Sequence, residues 1–377
     1  MKPRTLKTPV PRWPEGHPGV SQEELLLAFR TQLDGEIAGI RLEPMEGDAS
    51  TRQYYRVSFS EGTVPSAVLM VLPEPCPPEP MDLPFLNIRS FLAGLGLPVP
   101  DHYFSLPECG IVVLEDFGDE TLESGLRAAS RGRMETWYQE AVESLLRMQL
   151  GQGDCHAFTY AFTAAKFEEE LLFFLKHAIE GLWDRRPSSG DREALVTEFH
   201  RLSENLALSA SGETVFTHRD YHSRNLMVLK DRPGLGILDF QDARRGPPTY
   251  DLASLVFDSY VTLPQEFRER LVEEYRIRRN DLTGIKADRE AFERSLRLAA
   301  TQRNLKAIGT FAYQGWALGK ERYLDSIGPT LAHVRDHCRT LPELSELWAV
   351  LSPLLPDPDH PRGRTAGSTP SCFSSSV

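Results

Sequence analysis

The sequence predicts an α+β chain in two lobes, a small β-rich N-terminal lobe and a larger helical C-terminal lobe. Three observations predict it. Short runs of β-branched and aromatic residues broken by turns fill the first third, at Tyr54–Phe59, Ala67–Leu72 and Gly110–Leu114. After Asp119 the apolar residues recur at helical spacing. Between the helical stretches lies one polar segment, Phe216 to Asp242, whose ionisable residues sit at the ends of short apolar runs. A chain of 377 residues is long enough for two cores. Its expected organisation is an N-terminal tail over 1–20, an N-lobe with its hinge over 21–118, a C-lobe over 119–352 and a tail over 353–377.

Composition narrows the function classes. With 41% hydrophobic and 25% charged residues the chain reads as an ordinary globular protein. A net charge of −12 argues against a nucleic-acid footprint, which needs a basic face. Five scattered cysteines, with no Cys-x-x-Cys, fit free thiols in a reducing cytoplasm. No stretch of eighteen apolar residues is present, so no membrane span is expected. The first twenty residues are basic and proline-rich without the apolar core of a signal peptide, and the Pro-, Gly- and Ser-rich end reads as disordered.

Taken in order, Ser21-Gln22-Glu23-Glu24 has the spacing of a capping box and opens a helix carrying Leu25, Leu26, Leu27 and Phe29. Glu46 to Arg52 is a loop of small and polar residues running into the strand Tyr54–Phe59, where backbone N–H groups can approach phosphates. Ser50, Arg52 and Arg56 are the nucleotide-side candidates here. Ala67–Leu72 is a further strand, ended by a proline cluster, and a short helix is expected over about Phe85 to Leu95. The strand Gly110–Leu114 runs into Glu115-Asp116-Phe117-Gly118, where the lobes would join. The Glu115 carbonyl and the Phe117 amide are the expected contacts to an adenine edge there.

In the C-lobe Trp137, Ala141, Leu145 and Met148, and then Phe167, Leu171, Phe174 and Ala178, form core stripes. Lys166 to Glu170 reads as a solvated face from which one carboxylate can point inward. His177, His333 and His337 lack the spacing of metal ligands.

The organising segment reads Phe-Thr-His-Arg-Asp-Tyr-His-Ser-Arg-Asn from Phe216, then Leu226–Leu229, a turn at Lys230–Gly234, Leu235–Leu238 and Asp239-Phe240-Gln241-Asp242. Two strands joined by a turn therefore present Asp220, Asn225 and Asp239 at their ends. Moving a phosphoryl group from Mg-ATP to a hydroxyl needs such a set: one carboxylate for the acceptor, an amide and a second carboxylate for Mg²⁺. His218 and Arg219 read as braces of the loop. Only eight residues, Ala243 to Tyr250, separate Asp242 from Asp251 and the helical run after it. That leaves no room for a protein-substrate platform, so the acceptor is expected to be a small molecule.

These residues resemble the aminoglycoside phosphotransferase-like (choline kinase-like) superfamily, with its protein-kinase-like fold. The likeness runs from about residue 21 to 352 and rests on Asp48–Arg56, Leu114–Gly118, His218–Leu226, Leu238–Ala243, Gly246–Asp251, Arg303–Gly309 and Gly319–Leu324. The Gln-Asp after Asp239-Phe240 and the last two segments resemble, within it, bacterial anomeric kinases of N-acetylmuramate and N-acetylglucosamine. The resemblance implies ATP and Mg²⁺ as cofactors, Asp220 as catalytic base, Asn225 and Asp239 as metal ligands, and Asp251 as the brace of the catalytic loop. The alternative for Asp251 is an N-cap of the following helix. Asp242, Arg303, Lys306 and Arg322 are the substrate-side candidates. The implied partner is a sugar-1-phosphate nucleotidyltransferase acting next in cell-wall recycling. A kinase of another small alcohol and a nucleotide-binding pseudokinase are the competing readings. The lysine expected on the third strand is missing from Ala67–Leu72, which favours the pseudokinase; the intact Asp220, Asn225 and Asp239 oppose it.

Overall fold

In the computed structural model the described residues are 19–33, 37–45, 52–62, 64–211, 213–286, 288–357 and 360. They divide into two compact units that are not continuous in sequence. The first takes the described residues within Met1–Ala128, with Gln152–Ala157 and Asn225–Gln241; the second takes Ala129–Gly151, Phe158–Arg224 and the described residues from Asp242 onward. The hairpin after the catalytic loop thus belongs with the β-rich unit, although the sequence boundaries placed it in the C-lobe. The expected N-terminal tail, apart from residues 19 and 20, lies outside the described residues, as does Ser50.

The first unit opens with α1 (Gln22–Gln32), where Ser21 and Glu24 close the capping box. A five-stranded antiparallel sheet follows: β1 (Ala38–Met45), β2 (Gln53–Glu61), β3 (Ser66–Val71), β4 (His102–Leu106) and β5 (Ile111–Glu115), in the order β1-β2-β3-β5-β4. Helix α2 (Pro84–Gly94) lies between β3 and β4 in sequence, and α3 (Leu122–Leu126) follows β5. One face of the sheet is apolar by alternation: Tyr55 and Val57, then Ala67, Leu69 and Val71, then Ile111 and Val113, covered by Leu25 and Phe29 of α1. The Phe29 ring meets Phe59 and Phe104 edge-on at 4.9 and 5.1 Å. The alternate residues of β2, Tyr54 and Arg56, pair in register with Met70 and Val68 of β3 on the opposite face.

Sequence alone did not indicate β1 or β4. Both are edges of the sheet, and edge strands carry polar residues and proline because they need not be buried on two sides. Pro44 in β1 and the irregular register between His102 and Phe104 in β4 are such features.

Two more strands complete the first unit, β7 (Leu226–Val228) and β8 (Leu235–Ile237), all six of their residues buried. They form an antiparallel hairpin bonded on both sides. The Val228 N–H donates to Glu120 O at 2.8 Å, and the Ile237 N–H donates to Pro98 O at 2.8 Å.

The second unit is helical: α4 (Arg131–Leu150), α5 (Ala164–Phe174), α6 (Ser189–Ser211), α7 (Thr249–Val256), α8 (Gln265–Thr283), α9 (Arg289–Ala312), α10 (Ile327–Thr340) and α11 (Ser345–Leu351). It also holds the short pair β6 (Val215–Thr217) and β9 (Arg244–Gly246). The stripes Trp137, Ala141, Leu145 and Met148 on α4, and Phe167, Leu171 and Phe174 on α5, are buried as their spacing predicts. The chain stays packed beyond the expected tail boundary: Leu355 is buried, and Pro356 O accepts from the Arg335 guanidinium at 2.8 Å.

Helix α9 reaches α5 through Gly309. A Cβ there would stand 2.8 Å from Phe174 Cα, which is backbone and cannot turn away. Gly309→Ala is therefore expected to destabilise the protein by about 1–3 kcal/mol, the usual penalty of forced overpacking. Urea unfolding of the two proteins under identical conditions checks this; an unchanged midpoint would mean α5 and α9 separate without penalty.

Candidate active site

Within the second unit the loop that carries His218, Arg219 and Asp220 is held by its backbone. The Asp251 carboxylate, fully buried in the first turn of α7, accepts the His218 N–H at 2.6 Å and the Arg219 N–H at 2.9 Å. Asp251 is therefore not an N-cap; that position belongs to Pro248, without a side-chain bond, and Asp251 turns toward the loop. Burial pushes its carboxyl up to about 6 against the pull of His218 and the two N–H groups. Arg219 sits at φ +82°, a left-handed conformation that costs a non-glycine residue of order 1–3 kcal/mol. The two bonds to Asp251 hold it there, joined by the Ser254 hydroxyl, which donates to Arg219 O at 3.3 Å.

The position of α7 is itself fixed. The Gln149 amide and the Tyr275 hydroxyl both donate to Pro248 O, at 2.9 and 3.0 Å. Farther along, Asp258 accepts the N–H groups of Ser223 and Tyr260, each at 2.9 Å. Sequence reading missed Asp258. Its only signal is an aspartate placed just past the end of a short helix.

Side chains then orient the acidic residue of the loop. The Arg219 guanidinium donates to Glu170 at 2.9 Å and lies 3.8 Å from Asp242. Glu170, 7% exposed, also accepts from the Gln302 amide at 2.9 Å, so it is the inward carboxylate of the Lys166–Glu170 run. The Lys306 ammonium donates to Asp220 Oδ1 at 2.9 Å. Burial pushes the Asp220 carboxyl up, but the charges of Lys306 and Arg219 outweigh it and hold the group well below the usual carboxylate range. His222 is pushed down to about 3 by burial and by Arg303, so its ring is neutral.

In the first unit the hairpin brings Asn225 and Asp239 together. The Leu238 N–H donates to Asn225 O at 2.9 Å, and the Asn225 amide donates to Asp239 Oδ2 at 3.3 Å. Asp239 itself adopts φ +63°, and the Gln241 amide donates to its Oδ1 at 2.6 Å. The next ring, Phe240, stacks on Phe85 of α2 at 5.0 Å. A carboxylate and an amide oxygen are hard donors that suit Mg²⁺, which takes few protein ligands and completes its shell with water and phosphate oxygens. Among the described residues no cluster of three or more His, Cys, Asp or Glu could hold a metal.

The remaining candidates fall into place unevenly. Arg56 was expected near the phosphates. Its guanidinium instead forks onto Asp116 at 2.6 and 3.1 Å and reaches Asp119 at 2.8 Å, bracing the segment after β5. Arg52 is placed differently: it hydrogen-bonds Tyr54, whose hydroxyl is raised by burial, lowered by Arg52 and raised again by the Asp239 charge. Arg52 and Asp239 therefore both act on one hydroxyl. The Glu115 carboxylate accepts from Arg232 at 2.9 Å, and the Arg232 guanidinium lies 5.0 Å from the Phe117 ring, so both side chains pack against Arg232 within the first unit. Arg303 is only 3% exposed; burial raises the carboxyl of Asp258, and Arg303 offsets part of that rise, a structural placement. Arg322 is exposed beside the Tyr323 ring at 5.5 Å.

A β-rich unit that carries two oxygen donors on a hairpin, and a helical unit that presents a clamped aspartate on the preceding loop, define a kinase-type phosphotransferase. Residues 41–291 match the model of the phosphotransferase enzyme family, and the chain belongs to that family. It is thus an ATP-dependent phosphotransferase with an alcohol group as acceptor. The chain is 32% identical to the N-acetylmuramate/N-acetylglucosamine kinase of Pseudomonas putida over 88% of its own length and 94% of the relative's. To the protein of the same name from Neisseria meningitidis it is 30% identical, over 84% and 92%. Among solved structures, choline kinase from Cryptosporidium parvum aligns with TM-score 0.56 at 12% identity, covering 91% of this chain and 99% of that one. Plasmodium vivax ethanolamine kinase aligns with TM-score 0.53 at 12% identity, covering 82% and 84%. At those identities the likeness shows the fold. No helix among the described residues is long and apolar enough to cross a membrane.

Asp251→Asn tests the loop. An amide offers one acceptor where two N–H groups must be met, and its NH₂ would face a donor. The variant should lose about 1–3 kcal/mol of stability at neutral pH, the penalty for a buried unsatisfied donor. The pH dependence has a definite sign. A carboxyl raised in the folded state favours folding most below its ordinary pKa, and that contribution is lost as pH rises through about 6. Asp251→Asn should remove this part of the stability profile between about pH 4 and 6; superimposable shapes of the two profiles would show that Asp251 does not titrate there.

Proposed function

We propose that the protein transfers the γ-phosphoryl group of ATP to the anomeric C1 hydroxyl of N-acetylmuramate or N-acetylglucosamine. The observation that carries this reading is the match to the named sugar kinases, which spans 94% of the Pseudomonas putida relative and 88% of this chain.

In the proposed reaction the Asp220 carboxylate accepts a hydrogen bond from the C1 hydroxyl and then its proton. The sugar oxygen bonds to the γ-phosphorus, the bond from that phosphorus to the β,γ-bridging oxygen breaks, and ADP leaves with the electron pair. Asn225 and Asp239 would hold Mg²⁺, which when bound neutralises charge on the phosphates. Arg52 is the cation assigned to the same phosphates. It takes the part of the lysine missing from β3, where Met70 stands in register with Tyr54. Arg56 is committed to Asp116 and Asp119.

The acceptor chemistry fits the state of the aspartate. A carboxyl held below its ordinary range is a weak base. The ring oxygen withdraws electron density from C1, so an anomeric hydroxyl is more acidic than an ordinary alcohol and makes a smaller demand on that base. The product, a sugar 1-phosphate, is the substrate class of a nucleotidyltransferase, the partner proposed for the next step in a cytoplasmic cell-wall recycling route.

Three expectations follow from these roles. Asp220→Asn should keep nearly normal ATP binding and lose turnover by about 10²–10⁴, the usual scale for a general base. Asp239→Ala should be inactive at every magnesium concentration, whereas excess metal should partly rescue Asn225→Ala. Initial rates with free sugars and with their methyl glycosides test the acceptor site, because the glycosides have C1 blocked and should be inert. Equal rates on both would rule out C1.

A further inference from the structure

Helices α5 and α9 grip the catalytic loop from two sides. Glu170 of α5 holds Arg219, and Lys306 of α9 holds the neighbouring Asp220. The close approach at Gly309, one turn beyond Lys306, fixes the two helices against each other. The Lys306 side chain is 17% exposed and that of Asp220 34%, so the pair is partly shielded from water. One of the three N–H donors of the Lys306 ammonium is thereby committed to the loop aspartate, at 2.9 Å.

We propose that Lys306 is a positioning residue for the catalytic aspartate: its ammonium fixes the orientation of the Asp220 carboxylate toward the acceptor hydroxyl and keeps it charged through the working pH range, instead of binding the sugar. Charged and titratable groups face Asp220 from three elements. Arg219 and His222 come from its own loop, Lys306 from α9, and Tyr250 and Asp251 from α7. Arg303 of α9 and Glu170 of α5 act one contact farther out, through His222 and Arg219. The Lys306 ammonium reaches the Asp220 carboxylate from α9, at 2.9 Å. Removing it also relieves His222, so that ring becomes easier to protonate and compensates only in part.

The kinetic part of this proposal rests on the sugar-kinase reading, but its main test needs no substrate. The carboxyl carbons of aspartate are labelled with ¹³C in the full chain, and the Asp220 signal is assigned by its loss in Asp220→Asn. In the parent protein that signal should stay ionised from pH 8 down to about 4.5. In Lys306→Met it should titrate at a midpoint at least about one unit higher than in the parent. Turnover should fall by about tenfold or more, with KM for ATP and for either sugar changed less than about threefold, and Lys306→Arg should restore most of both readouts. Lys306→Gln, which keeps a donor without the charge, gives the same titration test if the methionine variant does not fold. An Asp220 titration identical in the parent and the uncharged variants overturns the proposal. So does a loss confined to KM for N-acetylmuramate, the sugar that bears a carboxylate. If no sugar is phosphorylated at all, the functional reading fails and the titration still decides the role of Lys306.

Discussion

Two N–H groups donating to one buried carboxylate hold the His218–Arg219 loop of the second unit in place. Asp251 meets the amides of His218 and Arg219 from inside α7, at a position where water cannot replace it. An ionised carboxylate so deeply buried is unfavourable unless donors surround it, and the rise of its carboxyl to about 6 measures that tension. The same bonds stabilise the left-handed backbone of Arg219. That turn sends the Arg219 side chain to Glu170 and places Asp220 where Lys306 reaches it. Strain, burial and charge at this loop therefore have one common support, and that support depends on α7 being anchored at Pro248 by Gln149 and Tyr275.

The hairpin half uses a lighter device. Asn225 and Asp239 sit at the open end of β7 and β8, tied by the Leu238 amide, and Asp239 has a positive φ like Arg219. Of the non-glycine residues with positive φ among the described residues, Arg219 and Asp239 thus carry or adjoin the proposed chemistry. Such conformations persist where the surroundings over-determine them, as both hydrogen-bonded clusters do here. The division of cations is just as marked. Arg56 and Arg232 are engaged by the carboxylates of Asp116 and Glu115, Arg303 lies in the interior and Lys306 meets the aspartate, while Arg52 shares Tyr54 with Asp239.

Much of this was legible in the sequence, for physical reasons that can be named. Asp220, Asn225 and Asp239 stand at fixed offsets from apolar runs short enough to be buried strands, and β6, β7 and β8 formed there. The stripes on α4 and α5 follow helical periodicity because one face of each is buried. What stayed hidden is what depends on tertiary neighbours. Arg56 alternates correctly onto the open face of β2, but nothing local to it reveals that Asp116, sixty residues away, claims its guanidinium. Lys306 looked like a ligand for a substrate because a cation on a helix gives no sign of which anion it will meet. Asp258 bonds backbone atoms of a loop that precedes it by 35 residues, a contact with no local pattern. The edge strands β1 and β4 escaped notice because their exposure frees them from alternation.

The reaction product shows directly which oxygen receives the phosphoryl group. With ATP, magnesium and N-acetylmuramate or N-acetylglucosamine, the product phosphorus should show its strong ³¹P–¹H correlation to the anomeric proton. A correlation to the protons at C6, C4 or C3 with none at C1 would contradict the C1 assignment.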